Sequence, residues 1–152
     1  MTVTPGVGTA LPIAEEGAVI SCEDASVLRV LEDGRVEGVK PGTATVTVTY
    51  PDGKTEKLTV TVKAARGDVN FDGDVNAEDA AIILVYAAEA GAGETAVLYS
   101  ADDADAESEA KQSADIDGNG VIDAVDAANL LIYAAILGAE GTADWADVLR
   151  QD

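Results

Sequence analysis

The chain has 152 residues, 29 Asp plus Glu against 9 Lys plus Arg, a formal charge of -20, no His, one Cys and 4% aromatic residues. Without histidine, Ser-His-Asp and Cys-His catalysis and His-ligated zinc are excluded, and a single thiol, Cys22, makes neither an internal disulfide nor a thiolate metal cluster. The acidic balance disfavours nucleic acid and anionic membrane surfaces as partners, and no run of about 18 apolar residues is present to insert into a bilayer.

The charge is unevenly placed. Residues 1 to 66 carry 9 acids and 7 bases, a net of -2, whereas residues 67 to 152 carry 20 acids and 2 bases, a net of -18. Two modules are expected, each small enough to need a staple such as a metal or a partner. The opening Met1-Thr2-Val3-Thr4-Pro5 has neither a charged n-region nor an apolar h-region, which leaves a cytosolic chain or a piece of a longer protein.

The first module reads as short strands. Ala18 to Cys22, Val27 to Val30 and Val36 to Val39 are brief candidates, separated by the turn signals Asp33-Gly34 and Lys40-Pro41-Gly42. Thr43 to Tyr50 and Lys57 to Val62 alternate apolar and polar residues with a period of two, and Pro51-Asp52-Gly53-Lys54 between them predicts a hairpin turn. The expected fold is a small all-β sandwich, with Cys22 as a small buried hydrophobe. Ser26 to Val30 followed by Asp33-Gly34-Arg35-Val36-Glu37-Gly38-Val39-Lys40-Pro41-Gly42-Thr43-Ala44-Thr45-Val46 resembles bacterial Ig-like domains of the group 2 type, which act mostly as spacers. The Trp usual in that family before its Ser-Ser stretch is absent, and Val19-Ile20-Ser21-Cys22 stands there.

The second module carries metal chemistry. Asp68-Val69-Asn70-Phe71-Asp72-Gly73-Asp74-Val75-Asn76-Ala77-Glu78-Asp79 places oxygen side chains at positions 1, 3, 5, 9 and 12 of a twelve-residue loop with Gly at position 6, and Asp115 to Asp126 repeats the pattern. A hard cation such as Ca2+ takes six to eight oxygens, and this is the spacing of an EF-hand loop. Position 7, Asp74 or Val121, contributes a backbone carbonyl, and the apolar position 8, Val75 or Ile122, is expected to face its counterpart in the core.

The loops belong to a tandem repeat offset by 47 residues. Asp79-Ala80-Ala81-Ile82-Ile83-Leu84-Val85-Tyr86-Ala87-Ala88 aligns with Asp126-Ala127-Ala128-Asn129-Leu130-Leu131-Ile132-Tyr133-Ala134-Ala135, and Gly91 and Gly138 are the expected C-caps. In both repeats the helix follows the loop, and the leading helix of an ordinary EF-hand is expected to be missing. The intervening residues 92 to 114 read as a solvated helix or mobile loop because of their acid density. Beyond Gly138, Thr142 is a candidate N-cap, and Trp145 either folds back on the start of the module or anchors a C-terminal helix.

This duplicated loop-then-helix unit, with Asp at loop position 12, resembles the dockerin modules of cellulosome-type assemblies used in polysaccharide degradation. The resemblance implies a non-catalytic, extracellular or cell-surface bacterial module that binds two Ca2+ and a cohesin domain on a scaffoldin or anchoring protein, a monomer on its own. Its implied metal ligands are Asp68, Asn70, Asp72, Asp74 through its carbonyl, Asn76 through water and bidentate Asp79. In the second loop they are Asp115, Asp117, Asn119, Val121 through its carbonyl, Asp123 through water and bidentate Asp126. Family recognition positions fall on Ala77, Glu78, Leu84, Val85 and Glu89, and on Ala124, Val125, Leu131, Ile132 and Ile136. Many members carry Lys-Arg where this chain has Leu84-Val85 and Leu131-Ile132, so the implied partner is apolar in character.

The composition of the second helix points to the same surface: it is apolar nearly all round, more than a two-helix module can cover. Burying Leu131, Ile132 and Ile136 against a partner is worth roughly 1.5 to 3 kcal/mol each. Because Glu78 and Glu89 face Val125 and Ile136 in the alignment, a single binding orientation through the second helix is expected.

The expected architecture is therefore α+β by domains: an all-β Ig-like sandwich at 1–63, a linker at 64–66 and an all-α dockerin at 67–152, with repeats 68–91 and 115–138, a linker 92–114 and a C-terminal segment 139–152. The competing expectation is a stand-alone calcium-stabilised surface or adhesion module, and an enzyme is the weakest.

Overall fold

In the computed structural model, residues 1 to 150 are described. Gln151 and Asp152, the last two of the expected module, lie outside the described residues. The chain divides into two compact units, Met1–Ala64 with Phe71–Gly73, and Ala65–Asn70 with the chain from Asp74 onward.

The first unit has two sheets. One orders β1 (Thr2–Val3), β7 (Thr55–Val62), β6 (Gly42–Thr49) and β3 (Val19–Cys22), and the other orders β2 (Gly8–Thr9), β5 (Val36–Gly38) and β4 (Leu28–Val30). The predicted hairpin is present as β6 and β7, paired from Gly42 with Val62 to Thr49 with Thr55. Its turn is closed by Gly53 N–H donating to the Tyr50 carbonyl, with Gly53 at φ +84°. Alternation sends Ala44, Val46, Val48, Val60 and Val62 inward, where they share a core with Val3, Leu11, Val27, Leu28 and Val36. Thr43 pairs with Thr61 and Thr45 with Thr59 across the same two strands on the opposite face. Periodicity does not reveal β1 and β2, because two residues are too few to show a period. Their pairing does the work instead: β1 runs parallel to β7 and closes one edge of the first sheet.

The second unit holds α1 (Ala77–Gly91), α2 (Ala104–Ala114), α3 (Ala124–Glu140) and α4 (Trp145–Leu149). Its buried positions obey the 47-residue repeat. Val69 and Ile116, Ala80 and Ala127, and Ile83 and Leu130 are equivalent pairs, all essentially inaccessible. The core of this unit is thus the inner stripe of α1 and α3 together with the second residue of each loop. Position 8 plays a lesser part than expected, since Val75 and Ile122 are only half-buried.

Four expectations are corrected. The stretch 92–114 is not solvated throughout: α2 buries Ala106, Ala110, Ser113 and Ala114, one stripe of small residues at helical spacing, with Asp105 exposed and Glu107 and Glu109 half-buried. The leading helix is missing only from the first repeat, because α2 runs directly into Asp115, its C-cap and the first residue of the second loop. The stop signals are also displaced. Gly91 is the last residue of α1 and Gly138 lies inside α3, while the left-handed residues that end the helices are Gly93, at φ +80°, and Gly141, at φ +76°. In α4, Asp144 and not Thr142 is the N-cap, accepting from Ala146 N–H.

Candidate calcium loops and helix face

Each loop is closed by its last carboxylate. Asp126 Oδ1 accepts from Ile116 N–H at 2.8 Å and Asp117 N–H at 3.4 Å, and its Oδ2 accepts from Asp123 N–H at 2.9 Å. Asp79 does the same to Val69, Asn70 and Asn76, at 2.9, 3.5 and 3.0 Å. Position 12 therefore ties the start of the loop to the start of the helix. Asn76 and Asp123, the expected water-mediated ligands at position 9, are the N-caps of α1 and α3 and accept from Glu78 and Val125 N–H. With Asp79 and Asp126 at N3 these form two capping boxes, a pattern that satisfies helix-end donors reciprocally. In Asp126 these bonds occupy both lone pairs of Oδ1 and one of Oδ2.

In the second loop Asp115, Asp117 and Asp126 bring one carboxylate oxygen each within 4.8 Å of one another. Asp115 Oδ2 accepts from Gly120 N–H at 2.9 Å, while its Oδ1 is buried with no hydrogen-bond donor among the described residues. Burial pushes the Asp126 carboxyl above its ordinary value; three backbone donors pull it back, and the charge of Asp117 adds to the upward push. A convergent set of hard oxygens with one orphaned buried lone pair fits a divalent cation such as Ca2+. Asn119 Oδ1 accepts from Val121 N–H and is held inside the same loop, and Val121 itself is exposed.

The first loop is built differently. Asp68 and Asp79 are buried, Asn70 is half-buried, and Asp72 and Asp74 are exposed. Among the described residues no equivalent carboxylate triple occurs there, and position 3 is the amide of Asn70. Position 4 is left-handed in both loops, but it is Gly118 at φ +73° in the second and Phe71 at φ +62° in the first, the one non-glycine with positive φ among the described residues. A bulky side chain in that region costs about 1 kcal/mol, and here it is held by burial of the ring.

The helices present an outer face opposite the shared core. Leu84, Val85, Val125, Leu131 and Ile132 are exposed, as are Ala77, Glu78 and Ala124, while Glu89 and Ile136 are half-buried. Val125 is 54% and Leu131 44% accessible, although α3 buries Asp126, Ala127 and Leu130 one step round the helix.

Residues 66–133 match the dockerin type I domain family. A dockerin type I domain is a non-catalytic assembly module that binds calcium and a cohesin domain, and the matched segment covers both loops, all of α1 and the first part of α3. No curated protein matches the chain.

Two residues near the loops, Ser113 and Glu107, escape motif reading. Ser113 lies against the first loop from the end of α2, with Oγ 2.6 Å from the Ala65 carbonyl and 3.1 Å from that of Asp68. Glu107 accepts from the backbone N–H groups of Leu98, Tyr99 and Ser100, pinning the inter-repeat segment to α2, and pairs with Lys111, whose ammonium lies 5.8 Å from the Tyr86 ring. Tyr133 stacks on Trp145 at 3.9 Å between centroids and 11° between planes. That ring also rests on Gly67, where an added Cβ would stand 3.1 Å from Trp145 Cζ2. Trp145 therefore reaches back to the residue just before the first loop. This matches the expectation that Trp145 folds back on the start of the module, and the same residue opens α4.

Proposed function

We propose that this chain is a calcium-dependent assembly module whose dockerin segment binds a cohesin domain of a scaffoldin or anchoring protein outside the cell. Residues 1–63 act as an Ig-like spacer joined through residues 64–66 to the module at 67–152, and neither part contributes catalysis. Two Ca2+ ions are held, one by Asp68, Asn70, Asp72, Asp74, Asn76 and Asp79, and one by Asp115, Asp117, Asn119, Val121, Asp123 and Asp126. The ions supply the positive charge that lets each loop close on clustered carboxylates. The chain's own residues do the rest: Asp79 and Asp126 lock loop to helix, and Ile83 and Leu130 hold the two helices together.

The observation that carries the reading is the exposure of Val125 and Ile132 in one row of α3, with exposed Leu131 beside it, directly beyond a loop whose carboxylates converge. Large apolar side chains left in water on an ordered helix mark a contact surface. The corresponding row of α1 includes Glu78 and Glu89, so the partner is engaged chiefly through α3 and in one orientation.

Calorimetry of the full chain against a panel of cohesins, in calcium and then in EDTA, tests the proposal. Binding in calcium that disappears in EDTA and in Ile132→Asp supports it. Absence of binding to every cohesin while calcium still folds the protein refutes it.

A further inference from the structure

The two loops are joined by a connection that the repeat does not predict. Ser113 is buried, 5% accessible, and stands two residues before Asp115, which opens the second loop. Its hydroxyl hydrogen is shared between the carbonyls of Ala65 and Asp68, and its own carbonyl accepts from Gly67 N–H at 2.9 Å. Asp68 opens the first loop. One residue of α2 thus bonds in both directions to the backbone at the start of loop one, while the next turn of chain is the start of loop two, where Asp115 N–H donates to the Lys111 carbonyl and ends the helix.

We propose that Ser113 is a coupling residue that makes the two loops load calcium cooperatively. The inference rests on the calcium reading above. Ordering loop one fixes the Asp68 carbonyl, which fixes the last turn of α2, which places Asp115 for the second ion. The second ion then binds a segment whose conformational entropy has already been lost, and the effect is reciprocal. The equivalent position in the first repeat is Arg66, exposed and with no helix before it, so the device exists once and belongs to this insertion rather than to the duplicated unit.

The test is a cycle of calcium titrations on the full chain by calorimetry. Loop one is silenced with Asp72→Ala, in the presence of Ser113 and in Ser113→Ala. With Ser113, silencing loop one weakens calcium binding at loop two by about tenfold. In Ser113→Ala the same silencing changes it less than twofold, and Ser113→Thr, which keeps the hydroxyl, restores the coupling. Independent binding of two ions to the wild-type chain, or full coupling retained in Ser113→Ala, overturns the inference and leaves the calcium reading intact. No calcium bound at either loop overturns both. A second measurement does not depend on how well Ser113→Ala folds. In Asp117→Ala, filling loop one alone should protect the amides of residues 111 to 115 from hydrogen exchange, and unprotected amides there overturn the coupling.

Discussion

The two repeats of the helical unit began as one pattern and differ most where they face outward. Val69, Asp79, Ala80 and Ile83 and their counterparts Ile116, Asp126, Ala127 and Leu130 are interchangeable in kind and all buried. Outside that inner set the repeats part: only the second has a leading helix, only the first has Phe71 in a left-handed conformation, and Glu78 and Glu89 stand where the second has Val125 and Ile136. Packing constrains the inner stripe of both helices to one solution, whereas the outer stripe is free to specialise.

Chelation probes what the repeats share, and it is the largest effect expected. Removing calcium leaves the loop carboxylates uncompensated in a segment of net charge -18, so EDTA should abolish most of the helical circular dichroism. The hairpin of β6 and β7 has no such dependence, and its strand signal should persist. An unchanged helical spectrum would remove the structural role of the metal.

Next in size is the symmetric core. Ile83→Ala and Leu130→Ala each remove a fully buried side chain, and each should cost about 2 to 5 kcal/mol in denaturant unfolding with calcium present. Similar losses would support equivalence of the two repeats inside. A difference of more than about 2 kcal/mol would show that the leading helix makes one side stiffer.

The outer faces should break the symmetry. Ile132→Asp is expected to abolish cohesin binding and Val85→Asp to weaken it by a smaller factor, both with unchanged helical content, because both side chains are exposed. Equal losses would mean that either helix can lead, and the single orientation would be wrong.

The smallest effect concerns the inter-repeat segment. Burial, the largest influence on Glu107, pushes its carboxyl up, but the three backbone donors and the charge of Lys111 outweigh it and hold the group below its ordinary value. A lowered folded-state value means that this stabilisation is present above the unfolded-state value and fades as the pH falls through the folded-state one. Glu107→Gln should therefore cost about 1 kcal/mol at neutral pH and progressively less in acid, read as the difference in melting midpoint between variant and wild type. A difference independent of pH would mean that the charge on Glu107 contributes nothing.

Much of this was legible in the sequence because the signals were repeated. Alternation across Thr43–Tyr50 and Lys57–Val62 wrote the hairpin, and two copies of the oxygen spacing wrote the loops. What escaped had no period to show. In α2 the buried stripe is made of alanines and a serine, which carry little hydropathy, so the acids on its other face dominated the reading. Gly91 and Gly138 matched each other, but helix ends are set by the first residue that can turn left-handed with a satisfied donor, and those are Gly93 and Gly141. The bonds of Ser113 and Glu107 depend on tertiary proximity, which neither composition nor spacing encodes.

Trp145 gives the helical unit its own optical label. It is the only tryptophan in the chain, and it lies flat on Tyr133 of α3 while touching Gly67 at the threshold of the first loop. Its emission colour therefore reads closure of this unit alone, with no contribution from the β-sheets.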